Sequence, residues 1–76
     1  MQVKLLGVQH VNFTNNSGET ITGTNIFCAF KEENTEGLRT EKMFLRNGIE
    51  LPDCKLNDTL EICFDRRGKV EKIYKI

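Results

Sequence analysis

The sequence predicts a small all-β protein of five antiparallel strands in a closed or nearly closed barrel. Three observations carry that expectation. The run Thr59-Leu60-Glu61-Ile62-Cys63-Phe64-Asp65 alternates strictly, with Leu60, Ile62 and Phe64 on one face and Thr59, Glu61, Cys63 and Asp65 on the other. A strand with one buried face needs that period of two. Turn-forming clusters then divide the 76 residues into five extended runs. A flat sheet of that size leaves both edges open, and closure removes them. Finally, Gly7 and Gly23 interrupt the two longest runs, where a glycine marks a bulge or a barrel corner.

Each element has its own justification. Strand one spans Gln2 to Thr14 and is rich in Val, Leu and Phe, with its alternation broken once near Gly7. Asn15-Asn16-Ser17-Gly18 is a cluster of turn formers. Strand two, Thr20 to Phe30, places Ile26, Cys28 and Phe30 on one face and Phe27 and Ala29 on the other. Apolar residues on both faces suit a central or tightly curled strand. Lys31 to Leu38 is charged, contains Gly37 and reads as a loop, with room near Asn34 only for a helix too short to stand alone. Strand three, Arg39 to Arg46, points Met43 and Leu45 inward and leaves Lys42, Phe44 and Arg46 on the opposite face. Asn47-Gly48 is a strong turn pair. Ile49 to Leu51 continues extended until Pro52, which excludes a central strand there. Asp53 to Asp58 forms a second loop. Strand four then carries the alternating run, with Leu60, Ile62 and Phe64 buried. Asp65 and Gly68 occupy the first and fourth positions of a type I turn, where glycine can close a hairpin with a bulge. The last strand follows. Long strands with glycine bends suit a barrel of the oligonucleotide-binding or Src-homology type.

A chain this short makes one domain, residues 1–76, with a modest core. Eleven basic residues balance eleven acidic ones, so no overall field draws the chain to nucleic acid or an anionic membrane. The charge is uneven along the chain. Arg66, Arg67, Lys69, Lys72 and Lys75 face only Glu71 near the end, while Glu32, Glu33 and Glu36 cluster without a base. Such asymmetry marks either a polar binding face or a hairpin edge kept soluble by lysines. The three cysteines, Cys28, Cys54 and Cys63, form no Cys-x-x-Cys pair, so no metal site is expected. An odd thiol count without a signal peptide points to free thiols in a reducing cytoplasm, and no apolar run is long enough for a transmembrane helix.

No catalytic constellation or cofactor motif occurs, and an enzyme is not expected. The single histidine, His10, lies in strand one without a serine, cysteine or acid at a telling spacing, and reads as a partly buried structural residue. Cys28 and Cys63 read as core or near-core residues, and Cys54 as the most exposed thiol. One constellation is basic and aromatic. Lys42, Phe44 and Arg46 set cation, ring and cation on one strand face. If that face is exposed, the ring can stack on a base while the cations meet phosphates. Arg66, Arg67 and Lys69 would add to it. The competing reading makes Phe44 a core residue of a strand buried on both faces.

The segment Phe13-Thr14-Asn15-Asn16-Ser17-Gly18, with Gly23 and a second long strand after it, is similar to the first hairpin of the filamentous-phage gene V single-strand DNA-binding proteins. The resemblance covers about the first thirty residues and implies a small barrel and single-stranded DNA as ligand. Where that family carries an arginine in the turn and a tyrosine early in strand two, this chain has Asn16 and Ile26. The whole chain also resembles short proteins encoded on plasmids, phages and conjugative elements of Gram-positive bacteria, which implies an accessory role in replication or transfer of a mobile element. Two functions are therefore expected to compete. One is a module binding single-stranded nucleic acid, and the other is a protein-interaction module that pairs through a strand edge.

Overall fold

Alternation, glycine bends and turn clusters together build one sheet. The computed structural model describes residues 1–76 and contains β1 (Gln2–Thr14), β2 (Thr20–Phe30), β3 (Arg39–Arg46), β4 (Thr59–Phe64) and β5 (Val70–Lys75). All neighbours are antiparallel, in the order β3-β2-β1-β4-β5. There is no helix, and so none long and apolar enough to cross a membrane.

β1 is the strand that both halves share. Gln2, Val3 and Lys4 pair with Glu61, Leu60 and Thr59 of β4, while Lys4 to Thr14 pairs with β2. The register slips between Leu5 and Gly7, the bulge expected at that glycine. Beside it, the Leu5 N–H donates to the Asp58 carbonyl at 3.0 Å and the Asn57 N–H donates to the Leu5 carbonyl at 2.7 Å. The loop before β4 thus carries on the ladder where β4 itself has not begun.

The tight turns of the β1–β2 and β4–β5 hairpins use one device. The Gly18 N–H donates to the Asn15 carbonyl at 3.1 Å, and the Ser17 and Glu19 N–H groups donate to Asn15 Oδ1, each at 3.0 Å. Likewise the Gly68 N–H donates to the Asp65 carbonyl at 3.1 Å, and the Arg67 and Lys69 N–H groups donate to Asp65 Oδ1 at 2.8 and 3.1 Å. Gly18 and Gly68 hold φ of 82° and 77°, a conformation costly for any residue with a Cβ.

The inner face holds the core. Val3, Leu5, Ile26, Cys28, Met43, Leu45, Leu60, Ile62, Val70 and Ile73 are buried in one cluster, with Phe30, Ile49, Leu51 and Cys54 packed against it. Burying each larger aliphatic side chain stabilises by ~1.5–3 kcal/mol. The segment after Asn47-Gly48 is not a strand. It lays Ile49 and Leu51 against the core instead. Cys54 is therefore half-buried, as Cys63 is, while Cys28 is fully buried; His10 is exposed rather than partly buried.

The structure corrects two further expectations. The sheet is not closed into a barrel, because β3 and β5 lie at opposite ends of the strand order and share no ladder. A side chain spans the gap instead: Arg46 Nη1 donates to the Val70 carbonyl at 3.4 Å and lies 3.8 Å from Asp65 Oδ2. Phe64 is not a core residue and is 40% exposed. It keeps the inward phase of Leu60 and Ile62, but it ends β4 beside that open seam, where no strand covers it.

Candidate nucleic-acid interface

Pairing register decides which side chains share the outer face of β1, β2 and β3. Partners across a ladder stand on the same face, so four rows follow: Lys4, Ala29 and Thr40; Gly7, Phe27 and Lys42; Gln9, Asn25 and Phe44; Val11, Gly23 and Arg46. Phe44 is 43% exposed and Phe27 38% exposed. The competing reading of Phe44 as core is thereby overturned. The core of β3 comes from Met43 and Leu45 alone.

Two glycines let the rings lie down on the sheet. A Cβ built on Gly23 would stand 2.7 Å from Phe44 Cε1 and 2.5 Å from the Leu45 carbonyl oxygen, closer than real Cβ atoms come. One built on Gly7 would stand 3.3 Å from Phe27 Cδ2. Each ring thus covers a glycine on the neighbouring strand and offers its other side to solvent. Asn25 Nδ2 donates to Gln9 Oε1 at 3.2 Å, adding an amide pair in the Phe44 row.

The cations frame this surface. Lys4 and Lys42 flank Phe27, and Lys42 and Arg46 flank Phe44. Arg46 is partly engaged by Asp65. The Asp65 carboxyl is held below its ordinary value by the Lys69 N–H first, then by the Arg67 N–H and the charge of Arg46. Glu41 points with Cys28 to the inner side. Burial, and secondarily Glu41, pushes the Cys28 thiol up to about 11, so it stays protonated and inert. The acidic loop is partly neutralised at its own end. Arg39 Nη1 meets Glu32 Oε1 at 2.5 Å, and the Arg39 guanidinium lies 6.0 Å from the Phe30 ring centroid.

A cleft of about 400 Å³ opens where β3 faces the β4–β5 hairpin across the seam. Lys42, Phe44, Arg46 and Lys69 all line it, so the structure brings together four of the six residues singled out in the sequence. Arg66 and Arg67 do not join them. They sit exposed on the turn between β4 and β5. Sequence reasoning missed Phe27, Lys4 and Phe64. Phe27 was visible as the apolar residue out of phase with Ile26 and Cys28. Its pairing with Lys42 and Gly7 depends on register across strands, which no local pattern carries.

Comparison with protein-family models, with curated proteins and with solved structures found no match to this chain.

Proposed function

We propose that the chain is a non-enzymatic protein that binds single-stranded nucleic acid, with single-stranded DNA the favoured ligand, on the outer face of β1, β2 and β3. The observation that carries this is the pair Phe27 and Phe44, exposed on adjacent strands, each lying over a glycine and each bordered by cations. Diagonal neighbours on a sheet stand roughly 7–8 Å apart, so successive bases of an extended strand can stack on the two rings while phosphates meet Lys4, Lys42 and Arg46. The order β3-β2-β1-β4-β5, with β3 and β5 facing across a seam, supports the partly open oligonucleotide-binding type of barrel, whose second and third strands carry the ligand face. The resemblance of the first hairpin to the phage single-strand DNA-binding proteins points the same way. The resemblance of the whole chain to short proteins of mobile elements suggests the setting, replication or transfer of such an element, in a reducing cytoplasm that suits three free thiols.

Fluorescence anisotropy of a labelled oligothymidylate at low and moderate salt tests the reading. Binding at low salt should weaken as salt rises, since each neutralised phosphate steepens that dependence. Phe27→Ala and Phe44→Ala should each lose ~1–3 kcal/mol. No binding at low salt would discard it. A second reading, a protein-interaction module, draws on the two open edges β3 and β5. Such edges can accept a partner strand.

A further inference from the structure

The cleft between β3 and the β4–β5 hairpin is more than a defect in closure. Its floor is apolar, from Met43 and Val70, and Phe44 and Phe64 both line it. Phe64 is the informative residue. Its phase along β4 directs it inward, yet it stays 40% exposed at the cleft because no strand closes over it. The side-chain charges lining the cleft are Lys42, Arg46 and Lys69 against Glu41; Arg46 is already shared with Asp65, and the Met1 ammonium at the same rim is paired with Glu61. An apolar slot between rings, bordered by cations, suits a flat apolar body attached to an anionic chain. The seam strands also leave backbone N–H and C=O groups unpaired along the cleft, which can meet the polar edge of such a body.

We propose that this cleft receives one nucleobase, turned aside from a single strand whose neighbouring bases stack on the outer face. Phe44 belongs to both surfaces, so a strand lying across Phe27 and Phe44 passes the mouth of the cleft. Phe64 then stacks on the inserted base, and Lys42 and Lys69 hold the phosphates on either side of it. The inference rests on the outer-face reading above and adds to it a base-binding slot that does not lie on the outer face.

The test compares two strands of equal length, an oligothymidylate and a base-free deoxyribose-phosphate chain. Phe64→Ala should weaken binding of the oligothymidylate about 5-fold or more, the lower end of base–aromatic stacking, and leave binding of the base-free chain unchanged. Phe64→Leu keeps the apolar volume and should show the same loss if the alanine variant fails to fold. Lys69→Glu should weaken both strands. In the unaltered protein, a strand containing 5-iodouracil should photocrosslink to Phe64 as well as to the outer face. Unaltered affinity in Phe64→Leu, with crosslinks confined to Phe27 and Phe44, overturns the slot and leaves the outer-face reading standing. Loss of all binding by the unaltered protein removes both. A dimeric unaltered protein that becomes monomeric with Phe64→Leu also overturns it, because the cleft is then filled by a second copy.

Discussion

Gly23 shows how much of the surface depends on a missing side chain. Its backbone is unremarkable in φ, yet a Cβ there collides with the Phe44 ring and with the Leu45 carbonyl. Gly23→Ala should therefore destabilise by ~1–3 kcal/mol, as overpacking does. The double variant with Phe44→Ala should recover only part, because the carbonyl stays in place. Thermal melts of the three proteins check this. Asp58 and Asp65 carry a different signal. Their carboxyls are held below the ordinary 3.8, Asp58 by the Lys55 N–H first and Asp65 by the Lys69 N–H first. A folded-state value below the unfolded one means that the contribution is present above about pH 4 and is lost as pH falls through the folded value. Acid titration of stability should show a falling limb below pH 4 that flattens in the Asp58→Asn/Asp65→Asn variant. A limb of equal depth in that variant would assign it to other carboxyls. Phe64 marks where residue-level reading stops. Its periodicity is correct, but burial requires a covering strand, and whether one arrives is decided far away in sequence.

All five strands were legible because each is a local pattern bounded by turn chemistry. Asn15 to Gly18 and Asp65 to Gly68 announce their hairpins through an Asn or Asp that caps the turn and a glycine that closes it. Gly7 announces its bulge. β4 is the clearest element, and Ile62, 1% exposed, sits at its centre opposite Ile73. Ile62→Ala should cost ~2–5 kcal/mol, enough to unfold a domain with only ~5 kcal/mol in total. A melt without loss would refute the core face. The segment after β3 was less legible. Pro52 excluded a central strand there, but only the folded chain shows Ile49 and Leu51 serving as a cover for the core.

The molecule is elongated, 42 × 27 × 24 Å, because β1 and β2 continue past the end of β3 at the Gly23–Arg46 pair. Strand order and the open seam were not legible, since both depend on pairings between distant segments. The candidate surface was legible in part: Lys42, Phe44 and Arg46 share a face as their spacing requires, while Phe27 and Lys4 join them only through register. Net charge is zero, but the cations that matter stand together, so attraction is local and short in range. Reversing Lys4 and Lys42 to glutamate should abolish oligonucleotide binding. Reversing Lys55 and Lys72, an equal change of net charge, should leave affinity within a few-fold in the same anisotropy titration.

The three-pair ladder between Gln2–Lys4 and Thr59–Glu61 is the only one that joins the β1–β2–β3 meander to the β4–β5 hairpin. Each half is built from neighbours in sequence, whereas this junction brings together segments more than fifty residues apart. Closing so long a loop is entropically costly and slow. Pairing of the two halves is then the step expected to limit folding. Val3, buried at the centre of the junction, becomes a kinetic residue: Val3→Ala should slow refolding more than it speeds unfolding in a stopped-flow chevron.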